Sequence, residues 1–169
     1  MSPKNLLRHR QCTSQLADFG TGTRFKRMIP DDGSGLVSDP SKVRKIVLCA
    51  GKVYYELLQE RERRAKEAGG DTGGSDVAIS RIEQLSPFPF DKVLAEAVKY
   101  PAAKIVWCQE EPKNAGAWAY VQPRIETALR KTSGQRATYA GRGPAAAVST
   151  GYKDVHDREQ TRLIADALS

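Results

Sequence analysis

The chain of 169 residues carries 27 lysines and arginines against 20 aspartates and glutamates, a net charge of +7, with 40% hydrophobic and 28% charged residues. That length and balance suit one globular domain with a real core, and the excess of cations points to acidic partners. No apolar stretch approaches the ~20 residues that span a bilayer, and no aromatic-plus-basic stripe accompanies the charge, so neither membrane insertion nor specific nucleic-acid binding is expected.

The opening "MSPKNLLRHRQC" lacks the apolar core of a secretory signal. Residues 1–42 carry turn formers and little periodicity, and read as an irregular strap laid over a neighbour. From residue 43 onward the pattern changes. "KIVLCA" (Lys45–Ala50), "VAISRI" (Val77–Ile82) and "KIVWCQ" (Lys104–Gln109) are short, nearly continuous apolar runs rich in β-branched residues. Such runs predict strands of a parallel sheet covered on both faces.

Helical spacing separates the runs. "KVYYELLQERERRAKEA" puts Val53, Leu57 and Arg61 on one side. "EAGGDTGGSD" then reads as a glycine-rich loop. "DKVLAEAVKY" groups Val93, Leu94, Ala97 and Val98, with Asp91 as its expected N-cap. After the third run, Asn114 is the expected N-cap of a helix whose stripe is Trp118, Val121, Ile125, Ala128 and Leu129. Pro123 should kink that helix. "ATYAG" predicts a short fourth strand, and "DVHDREQTRLIADAL" a closing helix with Asp154 and Asp157 near its amino end. Strand and helix alternating in this way predict a doubly wound α/β domain over residues 43–169.

Most of the usual signatures of chemistry are missing. "CAGKVYYELL" places a glycine and a lysine between strand and helix but lacks the spacing of a phosphate loop. There is no G-x-S-x-G elbow. Cys12, Cys49 and Cys108 have no metal-like spacing, and neither His9 nor His156 has a companion ligand. The adjacent carboxylates Glu110 and Glu111 fall just past a strand, where open α/β sheets bind ligands. Three readings stay open for them: catalysis, contact with a ligand or subunit, and complementing a helix dipole. Glu110, Glu111, Asn114 and Trp118 are therefore the candidate contact residues.

"SRIEQLSPFPFD" followed by "WCQEEPKNAGAWAYVQPRI" resembles the carboxyl-terminal region of the thiamine-dependent first component of the 2-oxoglutarate dehydrogenase complex. "SPKNLLRH", "GTRFKRMIPDDG", "VLCAGKVYYELLQER" and "YAGRGPAAAVSTG" resemble the same family in the same order, across essentially the whole chain. The wording of "LSPFPFD" and "WCQEE" is closer to mitochondrial than to bacterial members, which implies the mitochondrial matrix. "AGGDTGGS" and "GYKDVHDREQ" depart from the family pattern.

The resemblance implies a three-layer sandwich with a mostly parallel sheet, like the transketolase carboxyl-terminal domain. It implies a parent that is a homodimer, decarboxylates 2-oxoglutarate and succinylates the lipoyl groups of a succinyltransferase component. The family's thiamine diphosphate and magnesium sit between two preceding domains, so this chain is expected to hold no cofactor, metal or catalytic residue of its own. "SPKNLLRH" would be the tail of the preceding domain. Two roles follow: a structural and dimer-interface domain of such a parent, or a retained non-catalytic domain that acts as a structural or recruiting subunit of a larger mitochondrial assembly. Some family members respond to adenine nucleotides or acyl-coenzyme A. Lys4, Arg8, Lys26 and Arg27 are the candidate cations for such an effector, set against the plainer expectation of solvated or internally paired charge.

Overall fold

A computed structural model describes residues 3–31, 39–67, 76–130, 132 and 134–169. Its elements are β1 (Met28–Ile29), β2 (Lys45–Cys49), α1 (Val53–Glu67), β3 (Val77–Ile82), α2 (Phe90–Lys99), β4 (Lys104–Cys108), α3 (Trp118–Leu129), β5 (Thr138–Ala140) and α4 (Lys153–Leu168). The three apolar runs and "ATYAG" are strands, as their composition predicts. Most of the glycine-rich loop expected over 67–76 lies outside the described residues.

The strands form one sheet in the order β1-β3-β2-β4-β5. β2 pairs in parallel with both β3 and β4, and β4 pairs in parallel with β5. Side chains alternate across this sheet, so each continuous apolar run feeds two cores. Ile46, Leu48, Ile105 and Trp107 face Val93 and Ala97 of α2 and Val121, Ile125 and Leu129 of α3. Val47, Cys49, Val106 and Cys108 face Val53 and Leu57 of α1 and Leu163 and Ala167 of α4. The result is a three-layer α/β sandwich with a mostly parallel, doubly wound sheet.

The segment before residue 43 contributes more than an irregular strap. β1 adds an antiparallel edge to β3, with Met28 opposite Ile82 and Ile29 opposite Arg81. Beyond it, Asp31 accepts a bond from the Ile79 amide at 2.7 Å and pairs with the buried Arg61 of α1. Its own amide donates to Ser80 Oγ at 3.2 Å. A carboxylate thus takes over where the edge strand's ladder stops, and it gives the buried guanidinium its counter-charge.

Two helix starts differ from expectation. α2 begins at Phe90 with Pro89 before it, so Asp91 is a first-turn residue and not the N-cap. There it meets Arg27 at 2.7 Å, and the bond from that guanidinium holds the carboxyl below its usual range. α3 begins at Trp118 with Ala117 as N-cap, so Asn114 does not cap it. Gly116, at φ +62°, lies in the left-handed region and keeps the chain out of a helix until Ala117. Pro123 lies within α3, which continues to Leu129.

β2 and β4 are neighbours, yet α1 leaves β2 for one face of the sheet and α3 leaves β4 for the other. Their carboxyl ends therefore part around a crevice. In open α/β sheets that switch point is where ligands bind.

Candidate functional site at the switch point

The loop from β4 to α3 is organised by a side chain that the sequence did not single out. Gln109 is 4% exposed. Its Oε1 accepts from the Trp107 indole at 2.9 Å and from the Trp118 amide at 3.0 Å. Its Nε2 lies within bonding distance of the carbonyls of Glu111 (3.2 Å), Pro112 (3.1 Å) and Ala115 (2.8 Å). The loop wraps around one amide, and that amide satisfies backbone groups which the turn would otherwise bury unpaired. A Cβ at Gly116 would come within 2.9 Å of Gln109 Nε2, a second reason for glycine there.

A second loop is sewn to the first. The Asn114 side chain accepts from the Ala145 amide at 3.0 Å and donates to the Ala145 carbonyl at 2.9 Å. The Tyr139 hydroxyl reaches the carbonyls of Arg142 (2.9 Å) and Glu111 (3.1 Å). Lys113 N–H donates to Arg142 O at 3.1 Å. Asn114 thus serves as a clamp between loops. Trp118 is 7% exposed and packs into the core, 5.3 Å from the Tyr139 ring. Its indole belongs to the α3 core and does not stand on the surface.

Glu110 and Glu111 have parted company. Both carboxylates precede α3, which has no acidic residue in its own first turn. Glu110 turns toward Lys52 at 2.8 Å, and Lys52 also pairs with Glu56. Burial opposes the Lys52 charge, but bonds from Glu110 and Glu56 outweigh it and hold the ammonium above its ordinary value. Gln160 of α4 donates to Glu56 at 2.7 Å and to Glu110 at 3.2 Å, and accepts from Arg142 at 3.0 Å. Arg142 also contacts His156 Nδ1 at 3.0 Å and Glu159 at 3.3 Å. This network ties α1, both loops and α4 together. The lysine that resembled part of a phosphate loop is committed to carboxylates. Burial, with help from Glu110 and Glu56, pushes the Cys108 thiol up to about 12, so it is no nucleophile at neutral pH.

Glu111 is exposed and borders an open cleft of about 420 Å³, lined by Ala50, Leu85, Trp107, Ala117 and Tyr120 with Ser86 and Gln109. Of the candidate contact residues, Glu110, Glu111 and Asn114 gather around this end of the sheet, while Trp118 supports it from the core. The effector candidates divide. Lys26 pairs with Asp18 at 2.7 Å and Arg27 with Asp91, whereas Lys4 and Arg8 are exposed. Among the described residues, no three of His, Cys, Asp or Glu are grouped to hold a metal ion. No helix is long and apolar enough to cross a membrane among them.

The profile of a family described as "2-oxoglutarate dehydrogenase C-terminal" matches residues 13–168. A Xenopus laevis protein, "2-oxoglutarate dehydrogenase-like, mitochondrial", is 46% identical over 96% of this chain and 15% of its own length. The Caenorhabditis briggsae "2-oxoglutarate dehydrogenase, mitochondrial" is 45% identical over the same shares. The Brucella ovis "2-oxoglutarate dehydrogenase E1 component" is 41% identical over 99% of this chain and 17% of its own length. The chain therefore spans 15–17% of the length of these relatives. Among solved structures, a "split gene transketolase, inactive beta4 tetramer" is 11% identical with a TM-score of 0.49, covering 75% of this chain and 38% of that one.

Proposed function

We propose a role that starts from one premise: the chain belongs to the 2-oxoglutarate dehydrogenase C-terminal family. It is the structural and contact domain at the carboxyl end of a thiamine-dependent 2-oxoglutarate dehydrogenase subunit, and the chemistry resides in other parts of that subunit. The observation that carries this reading is the apolar surface of the strap. Leu7, Leu16, Phe19 and Phe25 are between 70% and 88% exposed, all within the first 25 residues. Large apolar side chains concentrated in one surface segment mark an area that protein covers. A chain one-sixth as long as its relatives leaves ample protein to cover it.

Thiamine diphosphate and magnesium do not fit the residues gathered at the carboxyl ends of the sheet. Lys52 and Arg142 are committed to carboxylates, and Glu111 on the cleft's rim would repel a diphosphate. Within the proposal, cofactor and metal belong to the preceding domains, which carry out decarboxylation of 2-oxoglutarate and succinyl transfer to a lipoyl-bearing succinyltransferase. The proposed subunit is a homodimer of the mitochondrial matrix, and the word "mitochondrial" in the names of the animal relatives supports the organelle.

The intact mass of the native polypeptide, followed by an assay of it with 2-oxoglutarate and thiamine diphosphate, tests this. A polypeptide roughly six times longer than 169 residues that decarboxylates 2-oxoglutarate is the expected result. A native species of 18.6 kDa would replace it with the reading of a retained, recruiting domain.

A further inference from the structure

We infer that the cleft between the carboxyl ends of β2 and β4 is a socket for an apolar or aromatic side chain flanked by a cation, carried on a segment of the parent subunit outside these 169 residues. The inference rests on the parent reading above and adds the chemistry of what fills the site.

The walls are apolar, formed by Ala50, Leu85, Trp107, Ala117 and Tyr120. The polar groups beneath them are already used. Trp107 Nε1 donates to Gln109, and both ends of the Gln109 amide are engaged. An occupant is not called upon to satisfy a buried donor or acceptor, so burial of apolar area supplies the attraction. About 420 Å³ is in the range of small-molecule pockets, room for an aromatic ring together with its flanking residue. The walls are also set before binding, because Gln109 and the Asn114–Ala145 clamp hold the loop, which lowers the ordering cost of association.

Charge selects among apolar occupants. Glu111 lines the cleft with its carboxylate exposed and forms no ion pair among the described residues, whereas neighbouring Glu110 is answered by Lys52. No lysine or arginine belongs to the lining. Arg124 lies over the Tyr120 ring at 3.5 Å from its centroid and donates to the Tyr120 carbonyl, which commits it outside the lining. An anion entering this cleft would meet a carboxylate with no cation in the lining to offset it, so nucleotides and oxo acids are poor occupants. A side chain next to lysine or arginine would meet a complementary rim. Because the chain spans 15–17% of its relatives' length, the parent has several hundred further residues to supply that segment.

The test places photoreactive p-azidophenylalanine at Tyr120, where a linear azide takes the place of the hydroxyl in the cleft wall, within the native full-length chain. Irradiation should join Tyr120's position to a peptide outside residues 1–169 that carries an apolar or aromatic residue beside lysine or arginine, identified by mass spectrometry. Adding Glu111→Lys should cut that yield at least ~10-fold, and Glu111→Gln by less, with an unchanged thermal midpoint showing that the fold persists. No cross-link, a cross-link confined to residues 1–169, an acidic captured peptide, a small-molecule adduct, or a yield indifferent to Glu111→Lys would each overturn the inference. Should the same full-length chain still decarboxylate 2-oxoglutarate, the parent reading survives and the socket alone is lost.

Discussion

Gln109 shows how much a single side chain can decide. It follows an apolar run and precedes two glutamates, so its sequence context draws attention to the carboxylates and away from it. No local pattern marks an amide that accepts from two tryptophans and donates back into its own loop, because its partners depend on how the turn closes. Gln109→Leu keeps the approximate volume but strands the Trp107 indole N–H, the Trp118 amide and several carbonyls in a buried place. Each buried group left unsatisfied costs about 1–3 kcal/mol, so a loss of roughly 3 kcal/mol or more is expected from urea unfolding. A loss below about 1 kcal/mol would mean that water replaces the amide, and that the loop is held chiefly by Asn114 and Tyr139.

The elements were legible where burial itself writes the pattern. Runs such as Ile46–Val47–Leu48 and Ile105–Val106–Trp107 are apolar on both faces because helices cover both faces, and no competing structure suits them. β1 was not legible, since two paired residues cannot display a period, and its anchor Asp31 reads like any acid in a turn. That anchor ranks among the costlier single contacts to break. Asp31→Ala leaves the Arg61 guanidinium, whose side chain is 4% exposed, without its carboxylate. A loss of about 3–5 kcal/mol is expected, whereas Asp31→Leu combined with Arg61→Leu should recover much of it. Equal losses in the single and double variants would show that the backbone bonds of Asp31 matter more than its charge.

Glu96 is a second buried acid. Burial raises the Glu96 carboxyl, opposed by Lys99 and reinforced by Asp31. A carboxyl raised in the folded state binds its proton more readily there than in the unfolded chain. Its contribution is therefore greatest at low pH and is lost as pH rises through the raised value. Glu96→Gln should remove that loss. Urea midpoints at about pH 5 and about pH 8 should show the variant gaining on the wild type at the higher pH. A constant difference would place the Glu96 charge in solvent.

At the scale of the whole molecule, exposed large apolar side chains are denser in the strap than anywhere else among the described residues: four fall within residues 7–25, and Phe90, Val98, Val148 and Tyr152 are spread over the rest. Ile46, Val47, Leu57, Ile105 and Ile125 are at most 1% exposed, whereas the four large apolar side chains of residues 7–25 point outward. The strap as a whole carries Lys4, Arg8, Arg10, Arg24, Lys26 and Arg27, of which Lys26 and Arg27 have acidic partners within the chain. Position in the sequence cannot tell a strap that packs on its own domain from one that awaits another. Both are irregular and polar-rich, and the difference lies in which apolar atoms find neighbours. The 169-residue chain on its own should therefore associate through this surface as its concentration rises, because exposed leucine and phenylalanine are removed from water when copies meet. Replacing Leu7, Leu16, Phe19 and Phe25 together by serine should abolish that association in sedimentation velocity while leaving the urea midpoint nearly unchanged, since none of the four belongs to either core. In a full-length subunit the same four changes should instead loosen the domain from its neighbours, read as faster hydrogen exchange across residues 3–27. If the four serines lowered the unfolding free energy of the isolated chain as much as a core substitution does, by about 2–5 kcal/mol, the strap would be packing on this domain and no partner would be needed to explain it.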